Sequence, residues 1–347
     1  MGEQLNQFCV LPYAGLAAEN RVGPFVFWPW NDSYSEKYIP DPILRDRVSQ
    51  EITRHVSLLG KPLSTQCLVS VNDRQSNHLA RGEEDCLNAA LGLLALAYLL
   101  PVVNQNAPVP EHFQAFVTPL IDQGQHYPVV SRGLHELTNV IVPSGVPFLR
   151  FQVPREVDGC SMSQRRYFCG FAGHTPNLFQ GISSELPDGE IMCLADRLLQ
   201  SPVAPESVRA FRAVWWHNFS VRQDETLDPG QRAIALGTAF EILFDLGRSV
   251  SKKRPVCEQV DRLLSSSGEH RFTVNERKPY RVTRTSYVTY KLFQWRNKVV
   301  HGEDYDIMDG TIRVRGWGRR NLVLVASRVF GRCFKAMLSC YGSSVRV

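Results

Sequence analysis

Up to about residue 200, short runs of β-branched and aromatic residues stand between clusters of proline, glycine and asparagine. They are Phe25-Val26-Phe27-Trp28, Cys67-Leu68-Val69-Ser70-Val71, Val140-Ile141-Val142 and Phe148-Leu149-Arg150-Phe151-Gln152-Val153. Runs of this length and composition predict strands. Two helices are expected among them. One runs from Pro42 to Leu58 with Asp41 as its N-cap, and the other from Asp85 to Leu100 is apolar almost all round, which predicts burial on every side. The mixture points to an α+β module over residues 1–199.

From about Pro202 the apolar positions fall three and four apart, the period of a helix packed by one face. The first such helix, Ser207 to Arg222, carries Phe211, Val214, Trp215 and Phe219 as its expected core stripe. A second follows Asp228-Pro229-Gly230, with Asp228 as cap and the proline in the first turn, and runs through Phe244-Asp245-Leu246 to a stop at Gly247. A third covers Pro255 to Leu264, and the polar stretch from Ser265 to Arg284 shows no strong period. A fourth runs from about Ser286 to Val300 and is halted by Gly302. Thr311 to Gly316 alternates apolar and basic residues like a short strand, and Asn321 to Leu338 reads as a last helix. Residues 200–347 are therefore expected to be mainly α, following the α+β domain.

Composition narrows the function classes. A chain of 347 residues, 44% hydrophobic and 21% charged, is that of a globular protein of one large or two ordinary domains. Its nine cysteines contain no pair at C-x-x-C spacing and their count is odd, so neither a disulfide framework nor a local zinc knuckle is expected, and a reducing cytoplasm fits. The start Met1-Gly2-Glu3-Gln4-Leu5-Asn6 lacks the basic and apolar regions of a signal peptide. The apolar run Cys86 to Val103 is interrupted by Asn88, Tyr98 and Pro101 and preceded by Glu83-Glu84-Asp85, so it reads as a buried helix rather than a membrane span. Charge divides the chain more sharply than composition. Residues 1–199 hold 14 basic and 20 acidic residues, while residues 200–347 hold 25 basic and 14 acidic, so the second half is the candidate for a polyanionic partner.

Within that basic half, the segment Arg296-Asn297-Lys298-Val299-Val300-His301 carries the candidate chemistry. Asn297 and His301, four apart, share a helix face, and the long guanidinium of Arg296 can curl toward the same group. His301 stands just before Gly302, where a helix end opens to solvent. Metal-free RNA cleavage needs a group that moves a proton near neutral pH and a fixed cation for the charge gathering on phosphorus, and histidine and arginine supply both. The ribose 2′-hydroxyl is the nucleophile, which excludes DNA. No cofactor and no metal is expected. Nucleotide-binding glycine motifs, H-E-x-x-H and G-x-S-x-G are absent from the sequence. Pro187-Asp188-Gly189-Glu190-Ile191-Met192 begins like a metal-nuclease motif but has Met192 where the lysine belongs. Candidate RNA contacts are Lys298, the run Lys252-Lys253-Arg254, and Arg313 and Arg315 with Arg319 and Arg320; each could equally be solvated surface charge. Trp215 and Trp216 could stack bases, although core packing is the favoured expectation.

Arg296-Asn297-x-x-x-His301 resembles the motif of the HEPN superfamily, an arginine, a polar residue, and a histidine four to six positions after the arginine. The likeness extends to its Apea-like branch through Phe211-Arg212-Ala213-Val214-Trp215-Trp216, the stretch Ala235 to Phe244, and Gly302 after the motif. It covers about residues 200–345. The resemblance implies an all-α helical bundle and a homodimer in which two motifs face each other across one cleft. It also implies an RNA-degrading effector of antiviral defence or stress response. Glu241 matches the acidic residue of the preceding helix that would pair with Arg296 as part of the catalytic set. In a toxin branch of the family a tyrosine follows two positions after the histidine; here that position is Glu303, with Tyr305 further on, which puts that branch's regulation in doubt. The acidic first half is expected to act as a sensor or regulator, open to an activating ligand or partner protein. Two alternatives remain open: a non-catalytic HEPN module that binds RNA or protein, and a structural helical scaffold.

Overall fold

Strand β1 (Gln7–Pro12) lies between β5 (Gln66–Val71) and β6 (Tyr127–Arg132), and pairing spreads outward from it. With β2 (Asn20–Val22), β3 (Phe25–Pro29) and β7 (Glu136–Thr138) they form an antiparallel six-stranded sheet in the order β2-β3-β5-β1-β6-β7. The computed structural model describes residues 7–12, 16–40, 42, 43, 45, 46, 49, 55–57, 66–71, 81–104, 127–132, 136–138, 155–157, 160–162, 167–169, 186–221, 227–247, 252–266, 269–274, 279–303, 310–314 and 318–343. The β2–β3 turn places Gly23 at φ 58, a left-handed conformation that a side chain would resist. β3 is buried along its whole length, and Trp28 stacks on Tyr38 at 5.1 Å. Tyr38 ends helix α1 (Asp32–Tyr38), which Asn31 caps through its side chain. Elsewhere β4 (His55–Ser57) pairs in parallel with β10 (Tyr167–Cys169), and β8 (Arg155–Val157) with β9 (Cys160–Met162) makes a hairpin.

Two strand expectations, at 25–28 and 67–71, coincide with β3 and β5; those at 140–142 and 148–153 lie outside the described residues, as does Asp41. Residues 42, 43, 45, 46 and 49 are helical, but 55–57 belong to β4, so the helix expected through Leu58 does not reach that far.

The chain divides into two compact units. One holds residues 1–91, 110–184 and 223–226, the other 92–109, 185–222 and 227–347. The break therefore falls at 184/185 rather than near 200, and a segment expected in the first domain belongs to the second. That segment is the later part of helix α2 (Arg81–Asn104), whose Leu93 to Leu100 are buried. Helix α3 (Gly189–Gln200) opens on Asp188, whose carboxylate accepts from the backbone N–H of Glu190 and Ile191. Asp188 N–H also donates to the carbonyl of Ala97 at 2.8 Å, and Lys335 pairs with both Asp188 and Glu190. The near-motif at Pro187–Met192 is thus a helix start. No group of three or more His, Cys, Asp or Glu residues suited to a metal occurs among the described residues.

The second unit continues with α4 (Pro205–Val221), α5 (Pro229–Leu243), α6 (Lys253–Leu264), α7 (Arg284–His301) and α8 (Leu322–Ser343). Its helices surround Phe240, Phe293, Phe330 and Phe334, all fully buried. A Cβ on Gly331 of α8 would collide with Leu100, so the glycine is what lets α8 approach α2. Two hairpins correct the all-α expectation. β11 (Phe272–Val274) pairs with β12 (Tyr280–Val282) inside the stretch read as aperiodic, and the expected strand at β13 (Thr311–Val314) returns along β14 (Gly318–Asn321).

Helix α4 is also rotated relative to expectation. Ser207, Ala210, Ala213, Val214, His217 and Asn218 face inward, while Trp215 is 57% exposed and stacks on Phe219 at 5.6 Å. Small inward residues let α4 lie close to α5; Trp215 is left outside, and Phe211, Trp216 and Phe219 are half-buried. At the end of α5, Asp245 rather than Gly247 takes the left-handed position, at φ 52. Leu246 N–H then returns to the carbonyl of Glu241 and Asp245 N–H to that of Ile242, the pair of bonds that closes a helix. No helix among the described residues is long and apolar enough to cross a membrane.

Candidate functional site

Helix α7 carries the Arg-to-His segment, and both its ends are fixed by local chemistry. Thr283 and Ser286 cap the start reciprocally, and Thr283 Oγ1 donates to Asp261 Oδ1 of α6 at 2.7 Å. Leu292, Phe293 and Trp295 face the core. At the other end Gly302 adopts φ 67, Gly302 N–H returns to Val299 O at 3.2 Å and Glu303 N–H to Lys298 O at 2.9 Å. His301 is the last helical residue and is exposed. The start of α5 meets this end of α7: a Cβ on Gly230 would lie 2.9 Å from Val299 Cγ2.

One turn inward, the Arg296 side chain crosses α5 over Gly237, where a Cβ would stand 2.9 Å from Arg296 Cδ. Glu241, four residues along the same helix face, receives the guanidinium: Nη1 is 3.1 Å from Oε1, with the two side chains 19% and 16% exposed. The contact is an ion pair rather than an aligned hydrogen bond, since Glu241 Oε1 and Arg296 Nε are buried without a hydrogen-bond partner among the described residues. The guanidinium carbon lies 5.6 Å from the Phe293 ring centroid. Arg296 and Glu241 are thus brought together. Arg296 and His301, five positions apart, project roughly 140° from each other around one helix, and only Asn297, half-buried, shares the His301 face.

The candidate RNA contacts are mostly engaged inside the unit. Lys252 lies 3.6 Å from Glu241 Oε2 and donates to the carbonyls of Leu246 and Gly247. The Lys253 ammonium sits 5.0 Å over the Tyr290 ring. Arg254 donates to Glu258 at 2.7 Å and lies 5.6 Å over Tyr280, and the Glu258 carboxylate pushes the Arg254 pKa up. Lys298 is half-buried; Arg313 is exposed and stands opposite Arg319 in the β13–β14 register; Arg315 lies outside the described residues.

A second polar cluster escaped the sequence reading. His217, fully buried, places Nδ1 3.0 Å from Asn218 Oδ1 and Nε2 2.6 Å from Ser327 Oγ. Asn218 Nδ2 donates to Gly92 O at 2.9 Å, so its Oδ1 is free to accept, which makes Nδ1 the protonated nitrogen and the Ser327 hydroxyl the donor to Nε2. Burial lowers the His217 pKa to about 4. The ring stacks on Phe330 at 4.7 Å, and with Ser327 equally buried this Ser-His-Asn chain is sealed from any substrate. Its only mark in the sequence is His217-Asn218 in a helix whose phase was misread. The buried thiols of Cys257 and Cys333 are likewise pushed up by desolvation, Cys257 to about 12, and are inert as nucleophiles. No protein-family model matches the chain, and no match is found among curated proteins or solved structures.

Proposed function

We propose that the chain is a HEPN-type, metal-independent endoribonuclease acting as a homodimer. The observation that carries this reading is the contrast along one helix. Arg296 is fixed over Gly237 against Glu241, while His301 stands exposed at the helix end. Because the two project in different directions on one copy, a scissile phosphate is best served by two copies whose helix ends face each other. In the reaction, a neutral His301 takes the proton of the ribose 2′-hydroxyl and the 2′-oxygen bonds to phosphorus. The bond to the 5′-oxygen breaks, and the protonated His301 of the second copy returns a proton to that leaving oxygen. The products are a 2′,3′-cyclic phosphate and a 5′-hydroxyl. Arg296 and Asn297 stabilise the charge on the phosphoryl oxygens. The first unit is proposed to restrain or trigger the cut.

A second reading is favoured by one specific feature. The charge of Arg296 is already matched by Glu241, which suits a module that binds RNA or protein without cutting. Incubation with structured RNA in excess EDTA separates the two. The first reading expects fragments ending in cyclic phosphate, abolished by His301→Ala with binding retained; binding with no fragments from the unaltered protein supports the second.

A further inference from the structure

Lys252 offers three N–H donors, and the fold surrounds them with acceptors. Its Nζ donates to the carbonyl of Leu246 at 2.7 Å and of Gly247 at 2.5 Å, and lies 3.6 Å from Glu241 Oε2, with the side chain 18% exposed. Both carbonyls lie just beyond the end of α5, where the helix ladder no longer supplies donors. Glu241 is the hub of this arrangement. Its backbone carbonyl closes the helix by accepting Leu246 N–H, one carboxylate oxygen faces Lys252, and the other faces Arg296 at 3.1 Å. An ammonium held this way is poorly placed to meet a phosphate, which needs the cation turned to solvent. We propose that Lys252 is a positioning residue for Arg296. It anchors one oxygen of Glu241 to the end of α5, so that the other oxygen holds the guanidinium at the depth Gly237 sets. The proposal rests on the ribonuclease reading and takes Lys252 out of the RNA-contacting set.

A carboxylate clamped from one side keeps its second oxygen in place. Without Lys252 it gains rotamer freedom, and the guanidinium loses a fixed partner. Misplacement of a charge-stabilising group by about 1 Å costs on the order of a hundredfold in rate, whereas loss of a phosphate contact weakens binding and flattens its salt dependence.

The test compares full-length Lys252→Met and Lys252→Arg for RNA cleavage and for RNA affinity against salt. Lys252→Met is expected to lower kcat roughly ten- to hundredfold with KM and the salt slope unchanged. Lys252→Arg, which keeps the charge and the donors, is expected to restore part of the rate. A rise in KM with a salt slope reduced by about one and kcat unchanged overturns the proposal. Lys252→Gln, which removes the charge but keeps donors for the two carbonyls, serves the same comparison should methionine unfold the chain. A readout independent of activity is the 15N signal of the Arg296 side-chain N–H, assigned by its loss in Arg296→Lys. It should be sharp and slow to exchange in the unaltered protein and merge with the exposed arginines in Lys252→Met; persistence unchanged overturns the proposal. If the unaltered protein cuts no RNA, the ribonuclease reading falls and this signal alone decides whether Lys252 positions Arg296.

Discussion

His217 is fully buried and already uses both ring nitrogens, so a proton that joins Nε2 must reverse the bond to Ser327, turning its hydroxyl from donor to acceptor within the core. Burial holds its pKa near 4, against 6.5 for an ordinary histidine. Between those values the unfolded chain binds a proton that the folded chain refuses, so stability is complete above about pH 6.5 and drains away as pH falls toward 4. At about 1.4 kcal/mol per unit, the loss approaches 3 kcal/mol. Urea unfolding at pH 7 and pH 4.5 should show it, and His217→Gln should flatten the difference; an equal drop in that variant would remove His217 as its source. His301 is exposed at its helix end, and His301→Ala is expected to shift stability by less than about 0.5 kcal/mol while abolishing the RNA cutting proposed above. Legibility at this scale followed chain distance. Arg296, Asn297 and His301 sit within six positions and so could be proposed together from the sequence, and Glu241 came with the resemblance. Gly237 meets Arg296, and Lys252 meets Glu241, only once α5 passes α7 and the start of α6 returns to the end of α5, which no local pattern encodes.

Helix ends were more readable than helix faces. Asp228 caps α5 and Gly302 stops α7 because a side-chain acceptor and a residue that tolerates positive φ each solve a problem confined to one turn. Gly247 lost its expected role because Asp245 took the left-handed position two residues earlier. The phase of α4 was misread because apolar bulk was equated with burial, whereas close approach to α5 selected the small residues. The β11–β12 hairpin was missed because each strand offers only two apolar positions, Phe272 and Val274, then Tyr280 and Val282, too few to show a period. They become a core only when Cys257 and Tyr290 close over them. At the end of α7, Gly302→Ala meets no steric obstacle, so its cost is the backbone strain alone, about 1 kcal/mol. Thermal melts should register that loss. Gly331→Ala should cost more, since its new methyl meets Leu100; equal effects of the two substitutions would contradict the close packing of α2 and α8.

For the molecule as a whole, composition shifts near residue 200, whereas the two compact units interleave along the chain. The second unit takes residues 92–109 and 185–199 from the half read as the first domain. These residues supply the buried face Leu93 to Leu100 and helix α3. Sequence order hid this, because α2 is contributed from far upstream and its all-round apolar character says that it is buried without saying by what. A fragment of residues 200–347 is therefore expected to melt at lower temperature than the full chain and to bind a hydrophobic dye, because the Gly331 face of α8 is left bare. A fragment as stable as the full chain would show that α2 and α3 are dispensable.

Gly237 and Glu241 give the guanidinium a berth and a mooring four residues apart on one helix. A larger residue at 237 would evict the arginine without touching the Arg-to-His motif. In related chains, an intact motif facing alanine or leucine at that position would mark a copy whose arginine has lost its berth.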